Sequence, residues 1–208
     1  MKEHLNVRIE LLFPIPIVFI DLNRELTEVE KNTINEYKNN VKRNQGNSSS
    51  KNTYVLNDER LANLKQFFTN ETYNYFKNFY NPENEIEFYI TQSWLNMTNT
   101  NEFHHAHTHS NSVMSGVFYL EVDEDMDSIT FHNSKDSFNF YIPSNNWFMY
   151  FAKTWSFKIK KNTLILFPST LMHSVDNVQA DKQRISLAYN TFIKGTLGSY
   201  DSLSELKL

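Results

Sequence analysis

The sequence predicts an α+β chain in which helices come first and a β-sandwich or barrel core follows. Apolar residues recur at a helical spacing before Pro82, whereas short segments rich in β-branched and aromatic residues follow it. Helices followed by a run of strands are typical of this fold class. The length of 208 residues, with 40% hydrophobic and 15% aromatic residues, favours a single domain over residues 1–208 and excludes disorder for most of the chain.

Two helices are predicted in an N-terminal part that covers about residues 22–80. The first, Leu26–Lys42, has Thr27 at its start and Glu30 three residues later, which is the pattern of a capping box. The second, Asp58–Tyr80, carries leucine and aromatic residues about 3.6 residues apart and ends before a proline. The polar stretch Asn44–Thr53 between them predicts a loop.

The β-core is predicted over about residues 85–193. Its six strand-like segments are separated by turn signals and are Glu85–Met97, Ser112–Val122, Ser128–His132, Trp155–Ile159, Leu164–Phe167 and Arg184–Ile193. Ser134–Lys153 is dense in aromatics without a clear period and predicts an inserted loop, a candidate lid over a site. Residues 194–208 predict a C-terminal tail or a short packing segment.

Composition and charge exclude several classes of function. The absence of cysteine excludes thiolate metal sites and iron–sulfur clusters, so a metal must be held by His, Asp or Glu. A net charge of -4 disfavours nucleic acid, and a small molecule or a protein is the expected substrate. The longest apolar run, Leu11–Ile20, is too short to span a bilayer and contains two prolines, so a soluble cytoplasmic protein is expected. Pairing of two copies through a sheet face stays open.

Histidines dominate the candidate functional residues. In a strand, residues i and i+2 share a face, so His105 with His107, or His107 with His109, can offer two imidazoles to one ion. His173 follows a strand that would pair in the same core. Three protein ligands with open positions are typical of a catalytic metal site, while the alternative is a solvated histidine-rich loop and an unrelated His173.

Arg184 opens the last predicted strand, eleven residues after the final histidine of this set. Its guanidinium is suited to bind a carboxylate through two parallel hydrogen bonds, and Ser186 projects from the same face. An arginine on an interior strand needs a charged partner. A structural salt bridge with one of the 24 acidic residues is the alternative interpretation.

Taken in order, these motifs resemble the iron(II)- and 2-oxoglutarate-dependent dioxygenases, and more closely a family in their prolyl-hydroxylase-like branch. The resemblance spans almost the whole chain, and its most specific part is the block His107–Leu120. The matching segments are FPIPI near the start, SWLN at Ser93–Asn96, HTHSNSVMSGVFYL at His107–Leu120, LILFPSTLMH at Leu164–His173 and RISLAYN at Arg184–Asn190.

The resemblance implies a double-stranded β-helix, or jelly-roll, with the N-terminal helices packed on one sheet. It implies an oxygenase that uses Fe(II), 2-oxoglutarate and O2 to hydroxylate a substrate with release of succinate and CO2, with no catalytic residue beyond the metal centre. His107, His109 and His173 then resemble the iron ligands, with His105 as an alternate. The implied 2-oxoglutarate contacts are Arg184 and Ser186, and more weakly Asn96, Ser115 and Tyr119.

One position departs from the family pattern. The usual triad has two histidines and one carboxylate, whereas the middle ligand here would be His109, which leaves the site one unit more positive. Imidazole suits zinc, copper and nickel as well as iron, so selection of the metal is relaxed. Two alternatives therefore stay open: a cupin-like three-histidine enzyme that does not use 2-oxoglutarate, and a non-catalytic metal-binding jelly-roll module.

Overall fold

A computed structural model describes residues 8, 10–133, 143, 149 and 152–208 of the chain. The predicted lid, residues 134–153, lies almost entirely outside the described residues. The two helices are α1 (Glu28–Lys38) and α2 (Ala62–Tyr80). The strands are β1 (Val18–Asp21), β2 (Val41–Arg43), β3 (Ser48–Ser50), β4 (Ile86–Thr98), β5 (His104–His107), β6 (Met114–Glu121), β7 (Ser128–His132), β8 (Thr154–Lys158), β9 (Thr163–Pro168), β10 (His173–Val175), β11 (Arg184–Leu197) and β12 (Leu206–Lys207).

The strands form two antiparallel sheets. The larger sheet has the order β1-β9-β6-β11-β4-β3-β2, with β12 also paired to β11, and the smaller has the order β5-β10-β7-β8. Successive side chains of the long central strands point to opposite faces of the sheet, and both faces are covered. On β6, for example, Phe118 belongs to one buried cluster and its neighbours Val117 and Tyr119 belong to the other.

The two clusters lie on opposite faces of the larger sheet. Helix α2 packs on the first face, where Phe68 stacks on Tyr189 with ring centroids 5.2 Å apart and contacts Phe118 at 5.3 Å. The second face carries the cluster that also includes Ile129 and Phe131 of β7, in the smaller sheet. Side chains between the two sheets are therefore shielded from water on both sides, and this is the layer that holds the candidate site.

The first helix begins as its capping pattern predicts. The Thr27 hydroxyl accepts from the Glu30 amide, and the Glu30 carboxylate accepts from the Thr27 amide. Glu30 is buried and also takes two hydrogen bonds from Arg24. Burial raises the Glu30 pKa, but the hydrogen bonds from Arg24 and Thr27 outweigh it and hold that pKa below its ordinary value.

This depressed pKa predicts an acid-dependent loss of stability. A carboxyl group with a lowered folded-state pKa contributes stability that is complete above its unfolded pKa, about 4.3, and is lost as the pH falls through the folded value. We expect the free energy of unfolding in urea to fall below pH 4.3 less steeply in Glu30→Gln than in the wild type. Equal slopes in the two proteins would contradict this assignment.

Two differences from the expectation based on sequence lie between α1 and α2. The first helix stops at Lys38 instead of Lys42, because Val41–Arg43 turns back as β2. The segment Asn44–Thr53, predicted to be a loop, contains β3, whose Ser50 hydroxyl accepts from the Leu95 amide. Serine has little intrinsic preference for strands, so this segment is a strand because of its tertiary pairing.

The C-terminal part is also more ordered than a tail. Strand β11 continues to Leu197, and Leu206 and Lys207 pair with its end as β12. Within the described ranges, neither helix is long and apolar enough to span a membrane.

Gly116 on β6 is required by a close approach across the sheet. A Cβ atom there would lie 2.3 Å from Cε1 and Cζ of Tyr189, a residue of β11 whose buried ring stacks on Phe68. We expect Gly116→Ala to destabilise the protein by about 1–3 kcal/mol, the usual cost of overpacking. Chemical denaturation measures this loss, and the double variant with Tyr189→Leu should lose less than the sum of the two single changes. Additive losses would show that the ring is not the obstacle.

Candidate metal centre

Two neighbouring histidines, His107 and His109, and the distant His173 converge between the sheets. His107 ends β5 and lies directly opposite His173, the first residue of β10. His109 lies in the loop after β5, and its amide donates to the Ser169 carbonyl at 3.0 Å. One ring nitrogen from each histidine lies within 4.8 Å of the other two. Since a divalent ion takes imidazole nitrogens at about 2.0–2.1 Å, small side-chain rotations suffice to bring all three onto one ion.

Backbone contacts determine which ring nitrogen of His107 and of His173 is free to bind a metal ion. Nδ1 of His107 lies 2.8 Å from the His105 carbonyl, and Nδ1 of His173 lies 3.0 Å from the Leu171 carbonyl. A carbonyl only accepts, so Nδ1 carries the proton in both rings and Nε2 keeps its lone pair. Metal-binding histidines in proteins are held by this kind of second contact.

Burial keeps these rings neutral. It lowers the pKa of His173 to about 2 and that of His109 to about 4, with a smaller contribution from the neighbouring His107 in both cases. The pKa of His107 is also lowered, mainly by burial. At neutral pH all three imidazoles are uncharged, as metal ligation requires, so the residues fit a divalent cation.

The donor set consists of histidines alone. Among the described residues, neither group with metal-ligand geometry includes a carboxylate. The acidic turn Asp123–Asp127 lies between β6 and β7, where the Asp127 carboxylate accepts from the Asp123 amide. The expected departure from a two-histidine, one-carboxylate triad is therefore present in the geometry.

The alternate histidine is also close. His104, His105 and His107 form a second group whose ligand atoms lie within 4.8 Å of one another. The His104 ring stacks on the His107 ring at 4.5 Å, and its Nε2 lies 3.5 Å from the side-chain amide nitrogen of Asn44. Nδ1 of His105 is buried, and no described residue forms a hydrogen bond with it. The sequence alone gives no reason to expect His104 or Asn44 here, since alternation in a strand would place His104 on the face opposite to His105.

Arg184 is buried at the start of β11 with 3% of its surface exposed. Its Nη1 donates to the Ser128 carbonyl at 2.7 Å, and its guanidinium lies over the Tyr119 ring at 5.2 Å. Nη2 lies 3.4 Å from the Tyr119 hydroxyl. In the part of the chain that the structure describes, no carboxylate forms an ion pair with it. A buried charge without a counter-charge is costly, so this position favours an anionic ligand over the structural salt bridge considered above.

Polar side chains form a row across three strands beside this arginine. Ser186 lies opposite Asn96 on one side and Tyr119 on the other. Opposite residues in antiparallel strands have Cα atoms about 4.5–5.5 Å apart, so the three side chains are neighbours on one face. Among the described residues, the side-chain oxygen Oδ1 of Asn96 has no hydrogen-bond partner, although it is buried. A ligand that donates or bridges to this oxygen would remove an unfavourable burial.

Ser115 does not belong to that row. It lies four residues before Tyr119 on β6. Its hydroxyl lies 2.8 Å from the Ser169 hydroxyl and donates a hydrogen bond to Oδ1 of Asn190 at 2.8 Å. The Ser169 carbonyl in turn holds the His109 amide. Ser115 therefore supports the loop that carries His109.

The chain is similar to known proteins in part of its sequence and in its fold. Residues 92–190 match the family model described as "Putative 2OG-Fe(II) oxygenase". No curated protein sequence matches the chain. Similar solved structures include a 2OG-Fe(II) oxygenase family oxidoreductase from Burkholderia pseudomallei, with 14% identity and a TM-score of 0.54 over 84% of this chain and 83% of that one.

Two further structures have the same fold. HygX from Streptomyces hygroscopicus, solved with nickel, 2-oxoglutarate and hygromycin B bound, is 9% identical with a TM-score of 0.58 over 85% of this chain and 82% of its own. A Pseudomonas putida prolyl-4-hydroxylase is 10% identical with a TM-score of 0.55 over 85% and 92%. Residues 92–190 thus match the putative 2OG-Fe(II) oxygenase family, and the chain shares its fold with solved oxygenases of that kind.

Proposed function

We propose that this protein hydroxylates a C–H bond of a small molecule or of a protein side chain, with iron(II) held by His107, His109 and His173. The observation that carries the proposal is the pairing of a neutral three-histidine group with a buried arginine that has no carboxylate partner among the described residues. We further propose that the two sheets are those of a double-stranded β-helix. Their antiparallel order and the cluster between them support this reading.

The histidines would hold the ion on one face and leave the other positions open. When bound together, iron(II), 2-oxoglutarate and O2 supply the oxidant for hydroxylation, while the keto acid is converted to succinate and CO2. The chain orients the ligands: the carbonyls of His105 and Leu171 keep Nε2 of His107 and His173 directed away from the backbone. Since all three ligands are uncharged, the bound ion would keep its full positive charge and attract an anionic co-substrate.

Arg184 and Ser186 would bind the distal carboxylate of 2-oxoglutarate. Arg184 reaches the carbonyl of Ser128 on β7, and Phe131 on the same strand lies opposite His173. Three residues of a strand span about 10 Å. That separation is comparable with the length of a five-carbon dicarboxylate together with its contacts at both ends, so one molecule can reach both sites. Asn96 and Tyr119 flank Ser186 and would complete the polar wall.

Apolar side chains would limit the access of water. Phe167 packs on His173 with ring centroids 4.7 Å apart, and Trp94 lies 5.7 Å from His109. Phe131 lies 6.3 Å from His173 on the other side. A dry, low-dielectric environment strengthens the electrostatic contacts of the site and protects reactive species from side reactions.

The test is an anaerobic titration of the metal-free protein with iron(II) and then 2-oxoglutarate. Chelation of the keto acid by iron(II) is expected to produce a visible charge-transfer band, and admission of O2 is expected to release succinate. A band with stoichiometric 2-oxoglutarate supports the proposal. Tight metal binding without the band would overturn it in favour of a three-histidine module or enzyme that does not use 2-oxoglutarate.

A further inference from the structure

We propose that His104, His105 and His107 form a second divalent-metal site, which competes with the proposed iron site because both need His107. His104, His105, His107 and His109 lie within six consecutive residues, and together with His173 they form two geometric groups that share only His107 among the described residues. The second group would take a metal that accepts nitrogen ligands, above all zinc.

The first argument is geometric. Ring centroids of His104, His105 and His107 lie 4.5–5.2 Å apart, which matches the 4.4–5.2 Å within the first group. Tetrahedral zinc places its ligand nitrogens about 3.3 Å from one another, given bonds of about 2.0–2.1 Å. Ligand atoms within 4.8 Å of one another need only small side-chain rotations to reach that arrangement.

The second argument concerns ring nitrogens without a strong hydrogen-bond partner. In the described part of the chain, Nδ1 of His105 is buried and has no partner, although buried ring nitrogens normally have one. Nε2 of His104 lies 3.5 Å from the side-chain nitrogen of Asn44, at the outer limit of hydrogen bonding. Coordination by an ion would use the lone pairs that the protein leaves without a strong partner.

The third argument makes the two sites exclusive. Nδ1 of His107 is engaged with the His105 carbonyl, so this ring has one nitrogen to offer. An ion in the second group would take that nitrogen and leave the first group with only His109 and His173. Zinc in the second site would therefore inhibit the proposed oxygenase by removing an iron ligand, without entering the iron position. This consequence rests on the proposed function, whereas the existence of the second site does not.

Zinc binding to metal-free variants tests the site, with bound zinc measured by equilibrium dialysis and elemental analysis. We expect one zinc per chain in the wild type, since His107 is shared. His109→Asn, which affects only the first group, should still bind one zinc per chain. His104→Asn should also bind one zinc, whereas the double variant should lose stoichiometric binding.

The proposal is overturned if His109→Asn alone loses zinc as completely as the double variant, or if the wild type binds two ions. His173→Asn is a second variant of the first group and keeps the test decisive if either single change impairs folding, which circular dichroism would detect. The keto-acid band separates the two proposals. Zinc retained by His109→Asn without a band in the wild type would support the second site and refute the oxygenase, and the reverse pattern would do the opposite.

Discussion

Replacing Arg184 by alanine is expected to weaken 2-oxoglutarate binding by about 30-fold to a few thousandfold and to leave metal binding unchanged. Truncating one partner of a buried, hydrogen-bonded charge pair costs about 2–5 kcal/mol, which corresponds to that range of dissociation constants. Arg184 is 3% exposed, and its other contacts are a carbonyl and a phenol, so no second cation in the row beside it can replace its charge. Titration of the charge-transfer band against 2-oxoglutarate measures the effect.

Two variants separate the charge from the shape of this side chain. Arg184→Lys keeps the charge but loses the planar fork, so an intermediate affinity is expected. Lys194→Ala removes a cation at the other end of the same strand, where it lies over the Tyr89 ring, and should not change the affinity. A 2-oxoglutarate affinity within about twofold of the wild type in Arg184→Ala would mean that this arginine does not contact the co-substrate.

Replacing His107 by alanine is expected to have the largest effect on metal content. His107 is the one histidine that the two groups of metal-ligand geometry share among the described residues. Loss of an outer contact to a metal ligand typically lowers affinity by about 10–100-fold, so loss of the ligand itself should exceed about 100-fold. Neither iron nor zinc should then bind stoichiometrically, and turnover of 2-oxoglutarate should cease.

His132→Ala is the matched control for this prediction. His132 lies on β7 and belongs to neither group, and its Nε2 contacts the Ser174 hydroxyl at 2.8 Å. Its removal should leave metal content and the keto-acid band intact. Elemental analysis after dialysis decides between the outcomes, and stoichiometric iron in His107→Ala would show that the centre is built from other residues.

The departure from a carboxylate-containing triad has a practical consequence for such experiments. His107, His109 and His173 are neutral imidazoles, and imidazole does not discriminate strongly among zinc, copper, nickel and iron. Purified protein will therefore carry whichever metal is most available. Metal removal followed by anaerobic loading with iron(II) has to precede any assay of activity.

Local patterns in the sequence determined much of the fold. The capping pair Thr27 and Glu30 set the start of α1. Hydrophobic periodicity identified α2, and richness in β-branched and aromatic residues identified six of the strands. These signals depend on neighbours within a few residues, so the sequence carries them directly. The short strands β3, β5 and β10 could not be predicted in this way, because their serines and histidines have little strand preference. They are strands because β3 pairs with β4 and β5 pairs with β10.

The sequence by itself also determined which residues could perform the chemistry: the histidines, Arg184 and Ser186. Only the tertiary structure decided how they are grouped. It brought His173 opposite His107, separated Ser115 from the row that contains Ser186, and left the arginine without a carboxylate partner among the described residues. The physical reason is that ligand geometry and desolvation depend on long-range strand register, since a shift of one residue would send each of these side chains to the opposite face of its sheet.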